Sequence, residues 1–216
     1  METAVAPVEE KVAPEERDEA LGAGEPAWDI AELFPCQGAW SEEEYFSLPG
    51  NRLVEFRHGW IEVLPIPTET HQRIAFLIAR LLAAFVEARS LGIVLFSGTR
   101  VRLAPGKYRE PDVVFMRAEH SARRHEQFWE GADLVMEVVS PDYRRHDLET
   151  KRREYARAGI PEYWIVDPEE KRIEVLALQG RRYRVHGVFT PGTQATSAAL
   201  PGFMVAVDDV FAAGGE

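Results

Sequence analysis

The sequence contains a single cysteine, Cys36, among 216 residues. One cysteine excludes an intrachain disulfide framework and a cysteine-rich zinc site, and it fits a reducing, cytoplasmic setting. Long apolar runs are also absent. The best membrane candidate, residues 74–86, is interrupted by Arg80 and is too short to span a bilayer, so no membrane partner is predicted. The acidic N-terminus lacks the apolar segment of a signal peptide.

Several motifs of nucleotide and covalent chemistry are missing as well. The chain has no GxxxxGK[ST] or GxGxxG phosphate loop and no GxSxG nucleophile elbow. Nucleophilic hydrolase chemistry therefore has no candidate site. No helix-turn-helix or zinc finger is visible, so the sequence gives no basis for arguing DNA sequence specificity.

The acidic charge of the chain is concentrated at one end. The formal net charge is −11, and residues 1–32 hold ten acidic and two basic residues, a charge of −8, which leaves −3 for the remainder. Residues 1–36 are rich in Glu, Ala, Pro and Gly and are predicted to be a disordered acidic tail. Residues 37–216 are predicted to form one folded domain. The tail would weaken non-specific binding to nucleic acid because it competes with phosphate for basic groups.

The clearest predicted element is a long amphipathic helix. Its apolar residues recur at three- and four-residue spacing: Ile74, Leu77, Ile78, Leu81, Leu82, Phe85 and Val86. Thr68 or Thr70 can cap its start, and Gly92 can end it.

Two shorter helices and a series of strands complete the prediction. Ser41 and Glu44 form a capping box at the start of the first short helix, and the second runs from Asp147 to Ala158 and stops at Gly159. Gly59 marks a β-hairpin turn. Strands are predicted at 52–56, 60–64, 93–96, 99–103, 112–116, 134–139, 162–166, 172–178, 182–188 and 203–207. The pattern predicts a mixed α/β domain with a central sheet.

Two acidic residues interrupt otherwise apolar strands. Asp112 follows Pro111 at a strand start, and Glu137 lies mid-strand between Met136 and Val138. A carboxylate in a buried strand is unfavourable unless it is paired or holds a metal. Two such strands suggest two carboxylates that converge on a cation, an arrangement common in metal-dependent phosphodiester hydrolysis.

Glu55 and Lys151 extend this set. Lys151 lies one turn after Asp147, with Tyr155 one turn further on the same helix face, and the short connection can return Lys151 towards Glu137. Two or three carboxylates would bind Mg²⁺, which polarises a phosphate and lowers the pKa of a bound water. The lysine would stabilise the developing negative charge or position that water.

The order of these motifs closely resembles one known family. The segments concerned are Glu55-Phe56-Arg57-His58-Gly59, His71, Pro111-Asp112-Val113-Val114, Glu137-Val138-Val139-Ser140-Pro141, Asp147, Lys151, Tyr155 and Gly159-Ile160-Pro161-Glu162-Tyr163-Trp164-Ile165-Val166-Asp167-Pro168. Over about residues 40–212 the chain resembles the Uma2 family of restriction endonucleases, within the PD-(D/E)XK nuclease superfamily.

This resemblance implies a restriction-endonuclease-like fold, with a mixed central β-sheet flanked by helices. It implies hydrolysis of DNA with Mg²⁺ or Mn²⁺ as cofactor. The catalytic residues would be Asp112, Glu137 and Lys151, with Glu55 as a further metal ligand beside the two acids. His71, Asp147 and Tyr155 would line the cleft or contact substrate. A homodimer is expected by analogy with folds that cut two strands.

Two positions depart from the expected pattern. The superfamily motif has a lysine two residues after the second acid, where this chain has Val139, and Lys151 is the candidate that reaches the same space from the next helix. The relocation is the Uma2 pattern itself. His58 stands where the family often has an acid.

Other interpretations stay open at this point. The chain could be a non-catalytic nucleic-acid or protein-binding module with the nuclease fold, or a phosphodiesterase acting on RNA or a small nucleotide. Asp147 could be only a helix N-cap, Glu55 solvent-exposed, and Lys151 part of a solvated face. Basic clusters at 144–146 and 151–153 flank the proposed cleft and could contact phosphates.

Overall fold

The computed structural model describes residues 35–48, 54–141 and 144–215. The predicted acidic tail lies outside the described residues except at its last two positions. Residues Gln37–Glu216 form one compact unit. Among the described helices, none has the length and apolarity that a membrane crossing requires.

The described elements alternate between helices and short strands. The helices are α1 (Glu42–Ser47), α2 (Glu69–Glu87), α3 (Arg152–Ala158) and α4 (Val207–Ala213), with a 3₁₀-helix at Ala118–Arg123 and a π-helix at His146–Lys151 that runs directly into α3. The strands are β1 (Val54–Arg57), β2 (Trp60–Val63), β3 (Gly92–Phe96), β4 (Val101–Ala104), β5 (Lys107–Arg109), β6 (Val113–Arg117), β7 (Trp129–Glu130), β8 (Leu134–Val138), β9 (Glu162–Asp167), β10 (Arg172–Gln179), β11 (Arg182–Phe189), β12 (Gln194–Thr196) and β13 (Met204–Ala206).

The central sheet has six strands in the order β11-β10-β9-β8-β6-β3. Its strands pair antiparallel except for β8 and β9, which are parallel because α3 and the π-helix form the crossover between them. Strands β8 and β9 are buried along their whole length, as expected for strands covered on both faces.

Helix α2 covers one face of the central sheet. Thr68 caps its start, its hydroxyl accepting a hydrogen bond from the His71 amide. Its inward side packs on residues of β6, β8 and β9 in the larger apolar core, which includes Ile74, Ile78, Leu82, Val113, Phe115, Leu134, Met136 and Trp164. This packing fixes the first turn of α2 beside the ends of β6 and β8.

The opposite face of the sheet packs on α3. Alternate residues of the same strands, among them Val114, Val135 and Ile165, meet Tyr155 and Tyr163 in a second core. Helix α3 ends at Gly159, whose φ of 82° is the left-handed conformation that glycine adopts without a Cβ clash.

A smaller sheet of five strands, in the order β2-β1-β5-β4-β7, completes the main architecture. Its core is the aromatic cluster of Tyr45, Phe56 and Tyr108, packed against Phe46 and Phe128. Helix α1 begins at the capping box of Ser41 and Glu44 and contributes Tyr45 and Phe46 to this cluster. His58 and Gly59, both with positive φ, form the β1–β2 turn.

Several element predictions need correction. Helix α2 ends at Glu87, with Ala88 as its C-cap, and not at Gly92, which opens β3. Ser90, between the two elements, takes a left-handed φ of 53°. Leu81 faces solvent (38% exposed) because α2 is covered on one side only. Asp147 does not cap the second helix, because the chain is already helical at Arg145. Strands β5, β7 and β12 were not predicted, since each has only two or three residues.

Candidate active site

Asp112 and Glu137 lie directly opposite each other on neighbouring strands. The antiparallel register of β6 and β8 pairs Val113 with Met136, and one step further along the same register sets Asp112 against Glu137. Opposed residues in such a pair have Cβ atoms about 4.5–5.5 Å apart and side chains on the same face. Two acids that are 25 positions apart in the chain thereby face the same space.

Asp112 links three elements at the mouth of the cleft. Its Oδ2 accepts a hydrogen bond from the Val138 amide at 2.8 Å. Its Oδ1 lies 2.9 Å from His71 Nε2, at the start of α2. His71 Nδ1 in turn lies 3.5 Å from the Ser140 hydroxyl. The side chain of Asp112 keeps 22% of its surface exposed, so it remains accessible from the cleft.

Glu137 lies deeper and is held from the opposite side. Its Oε1 accepts a hydrogen bond from the Tyr155 hydroxyl at 2.5 Å, and its Oε2 lies 2.9 Å from Lys151 Nζ. Lys151 also lies 3.1 Å from Asp147 Oδ1. Lys151 is buried, so it does not belong to a solvated face.

The π-helix explains how Lys151 reaches Glu137. A π turn inserts an extra residue into the helical repeat, and such turns are frequent at functional sites. Asp147 and Lys151 both lie within this π turn, and Tyr155 follows one turn later in α3. The three side chains therefore meet on the side of the helix that packs against β8.

The site holds three carboxyl groups around one ammonium group. Burial raises the pKa of Glu137 to about 8, Lys151 acts against this rise, and Asp112 and Asp147 add to it. Burial likewise raises the pKa of Asp147, against the effect of Lys151. Burial alone would lower the pKa of Lys151, but Glu137 and Asp147 raise it well above its usual value. The ammonium therefore stays charged, and Glu137 and Asp147 bind protons more readily than exposed carboxyl groups do.

The donor set fits a hard divalent cation. Asp112 and Glu137 offer carboxylate oxygens, the ligands that Mg²⁺ and Mn²⁺ prefer. Each hydrogen-bonded carboxylate oxygen keeps a second lone pair. The cleft in front of them has a cavity volume of about 60 Å³, enough for roughly four water-sized groups at about 15 Å³ each. Its polar lining consists of His71, Gln72, Ser97, Glu110, Asp112, Glu137, Ser140, Asp147 and Lys151.

Glu55 lies apart from this cleft. It is buried, not solvent-exposed, and forms an ion pair with Arg109, while its other oxygen accepts a hydrogen bond from the Glu110 amide at 3.2 Å. Glu55, Glu62 and His146 also have ligand atoms within 4.8 Å of one another. Arg109 lies against both glutamates, with its Nη1 3.6 Å from Glu62. Its guanidinium already supplies positive charge there, which works against a cation.

The basic clusters beside the cleft are partly engaged. Arg144 binds Asp167 through both guanidinium nitrogens, at 2.9 and 2.7 Å. Arg152 lies 3.1 Å from Glu174. Arg145 keeps 89% of its side chain exposed. The sequence analysis treated all of these arginines as possible phosphate contacts. Their carboxylate partners lie far away in the sequence and cannot be recognised before the fold is known.

Sequence reasoning also missed four polar residues of the cleft. Ser97 follows β3, Glu110 precedes the Pro-Asp motif, and Gln72 and Ser140 flank His71. Glu110 and Ser140 carried a usable signal, since both lie within or next to multi-residue segments that resemble the family. Gln72 and Ser97 carried none.

The sheet order, the helices on its two faces and the opposed acids define a restriction-endonuclease-like α/β domain. The sequence model of the Uma2 family, described as "Putative restriction endonuclease", matches residues 42–208, and the chain belongs to this family. The resemblance found in the sequence is thereby confirmed.

A solved structure shows the same fold. It is a "putative nuclease belonging to DUF820" from Anabaena variabilis, 18% identical, covering 80% of this chain and 97% of that chain with a TM-score of 0.66. No curated protein matches the sequence.

Proposed function

We propose that the protein is a metal-dependent endonuclease that hydrolyses phosphodiester bonds in DNA. One observation carries the proposal. Asp112, directly before β6, and Glu137 of β8 line one cleft, with Lys151 2.9 Å from Glu137, in a member of the Uma2 family. Two carboxylates and a lysine at one cleft are the groups that phosphodiester hydrolysis requires.

Each residue of the chain has a separate role in this proposal. Asp112 and Glu137 would hold Mg²⁺ or Mn²⁺, and the bound ion would supply Lewis-acid activation of a phosphate and of a water. Lys151, kept charged by its carboxylate partners, stabilises the negative charge that develops on the phosphate or holds the attacking water. His71 and Tyr155 fix the orientation of the two acids through hydrogen bonds at 2.9 and 2.5 Å.

Asp147 and Glu55 act on Lys151 in different ways. Asp147 contacts the ammonium directly at 3.1 Å. Glu55 contributes to the raised pKa of Lys151 through its charge. We retain Glu55 in the proposal as an acid that supports the site electrostatically, and we assign direct metal binding to Asp112 and Glu137.

A groove next to the cleft gives substrate a path to the acids. It has a cavity volume of about 350 Å³ and shares His71 and Ser140 with the cleft. A strand of nucleic acid lying in it would reach Asp112 from the side of His71. A homodimer remains part of the proposal, because a duplex has two strands to cut and each copy of the chain carries one candidate site.

A non-catalytic binding module is the competing function. The ion pairs of Arg144 and Arg152 favour it, since they leave fewer basic groups to hold a phosphate backbone near the cleft. Such a module would bind its partner equally well with metal or with a chelator.

The experiment separates the two functions by cleavage and by binding. The full chain is incubated with supercoiled plasmid, linear duplex, single-stranded DNA and RNA, each with Mg²⁺, Mn²⁺ or EDTA. The proposal expects nicking of DNA with a divalent ion, lost in Asp112→Asn and Glu137→Gln and kept in Asp209→Asn, which changes an exposed acid. No cleavage of any substrate by the folded wild type, or cleavage unchanged in Glu137→Gln, contradicts it.

A further inference from the structure

Strand β3 is one edge of the central sheet, and no strand among the described residues pairs with its outer side. Its sequence, Gly-Ile-Val-Leu-Phe, contains no charge and no proline. Ile93, Leu95 and Phe96 are 42%, 40% and 41% exposed, so apolar surface shows on both faces of the strand. Exposed apolar edge strands are templates for pairing with another strand, and native proteins normally protect them.

The opposite edge of the same sheet has that protection. Strand β11 carries Arg182, Arg184 and His186 at alternating positions. Its pairing with β10 is shifted by an irregularity between Val175 and Leu176. Charges and bulges are devices that keep an edge strand from pairing. Within one sheet, therefore, one edge is protected and the other is not.

The backbone of β3 is suited to pairing with a copy of itself. The Ser97 amide bonds to the Asp112 carbonyl at 2.9 Å, and the Ala118 amide bonds to the Leu91 carbonyl at 2.8 Å. The backbone N–H and C=O groups of the odd-numbered residues 91–97 therefore point towards β6 and its flanking residues. Hydrogen-bonded positions alternate along an antiparallel pair, so the backbone N–H and C=O groups of Gly92, Val94 and Phe96 point away from β6, towards the open edge of the sheet.

A twofold axis at Val94 would pair these outward groups. Val94 would face Val94 of the second copy, and Gly92 would face Phe96. Gly92 cannot carry a side chain, because a Cβ there would lie 2.1 Å from the Met116 carbonyl oxygen. The bare glycine leaves room for the Phe96 ring of the second copy, a favourable cross-strand pair.

Helix α2 shares this axis. The rings of Phe76 and Phe96 lie 5.8 Å apart, which sets these two residues level with each other. One helical turn from Phe76 to Arg80 advances about 6 Å. Two strand residues from Phe96 back to Val94 advance about 6.6 Å. Arg80 therefore lies level with Val94, and its guanidinium covers its own Phe76 ring at 5.6 Å.

The two ends of the exposed stripe on α2 carry opposite charges. Arg73 and Glu87 each lie seven residues from Arg80, in opposite directions, on the stripe that also includes Phe76 and Ala83. Both are exposed. A twofold axis through Arg80 brings Arg73 of one copy against Glu87 of the other, where it would exchange its exposed partner Glu69 at 3.4 Å for Glu87. The same axis sets the two Arg80 side chains next to each other, each over its own Phe76 ring.

We propose that two copies of the chain associate through β3 and the Arg73–Glu87 stripe of α2, joining their central sheets. The occupant of the apolar edge is a second copy because one twofold axis at Val94 satisfies the outward backbone groups, the Gly92–Phe96 pair and the Arg73–Glu87 pairs together. Ser97 lines the cleft, and the two Ser97 positions would lie about 20 Å apart, six strand residues of about 3.4 Å each. The proposed interface does not depend on the substrate of the cleft. Its test therefore measures the mass of the assembly in solution and not cleavage.

The test is sedimentation velocity of the full chain over a range of concentrations. Wild type is expected to be a dimer. Ile93→Lys places charges within the joined sheet and should weaken association at least tenfold. Val185→Lys changes an exposed apolar residue of the protected edge strand β11 (51% exposed, against 42% for Ile93) and should leave association unchanged. Circular dichroism checks that both variants are folded.

Exchanging the charges of Arg73 and Glu87 on α2 tests the proposed twofold axis without changing β3. Arg73→Glu alone and Glu87→Arg alone should each weaken the dimer several-fold at low salt, and the double variant should restore it. A monomer at every concentration overturns the proposal. So does equal weakening by Ile93→Lys and Val185→Lys, or a double variant no better than the single ones.

Discussion

Replacing Lys151 with methionine tests the electrostatics of the cleft. Methionine keeps most of the volume of the lysine stem and removes its charge. Glu137 and Asp147 then lose the ammonium at 2.9 and 3.1 Å while remaining buried. Removing one partner of a buried ion pair costs about 3–5 kcal/mol of folding stability.

The loss should depend on pH. Without the ammonium, burial raises the pKa of Glu137 further above its ordinary value of 4.5. The folded variant then binds a proton that the unfolded chain has released, so its stability falls as pH rises. At about pH 5 a protonated Glu137 offsets much of the loss, and at about pH 8 the full cost of about 3–5 kcal/mol is expected.

Added metal should reverse part of the loss at high pH. A divalent cation that binds only the folded state at tenfold above its Kd stabilises by about 1.4 kcal/mol. Urea unfolding of wild type, Lys151→Met and the exposed control Lys171→Met, with Mn²⁺ or EDTA at both pH values, measures each effect. If the free energy of unfolding lost in Lys151→Met is the same at both pH values, or if Mn²⁺ does not stabilise the variant at about pH 8, the electrostatic explanation is wrong.

Three further substitutions follow from the same contacts. Burial raises the pKa of Glu110 to about 7, and one of its oxygens has no hydrogen-bond partner among the described residues. The free energy of unfolding of Glu110→Gln, measured with urea, should therefore equal that of wild type at about pH 5 and exceed it by up to about 3 kcal/mol at about pH 8. A difference that is the same at both pH values would contradict this. Arg109→Met leaves Glu55 and Glu154 buried without their guanidinium and should cost about 3–5 kcal/mol, whereas a loss below about 1 kcal/mol would mean that these glutamates find other partners. Ser90→Gly relieves a left-handed φ of 53° and should raise stability by about 0.5–1 kcal/mol; a lower melting temperature would show that no strain is present.

Local patterns predicted much of the fold correctly. The capping box at Ser41, the β1–β2 hairpin and helix α2 each depend on residues within a few positions of one another, and each is present. The strands of two or three residues were missed because their backbone pairing is decided by distant neighbours. The end of α2 was misplaced because Ser90 adopts a conformation that glycine would have signalled.

The candidate site was only partly accessible to sequence reasoning. Asp112 and Glu137 stood out because acids are rare in apolar strands, and Lys151 stood out from its spacing to Asp147 and Tyr155. Their juxtaposition depends on the β6–β8 register and on the π-helix, and neither is encoded in a short window of sequence. Whether these residues perform catalysis stays a prediction.

The environment of Glu55 could not be predicted from the sequence. It has the position in chain order that the family pattern gives to an early acid, yet its side chain binds Arg109. Arg109 comes from β5, a strand of three residues that the sequence did not predict. A buried acid with an unrecognised arginine partner cannot be told from a metal ligand by sequence alone.

The position of a bound Mn²⁺ ion in crystals of the full chain decides whether Asp112 and Glu137 form the metal site. Anomalous scattering locates the ion independently of any activity. We expect a peak within about 2.2 Å of carboxylate oxygens of both Asp112 and Glu137. A peak at Glu55, Glu62 and His146 instead, or no peak near the two acids at saturating Mn²⁺, would contradict it.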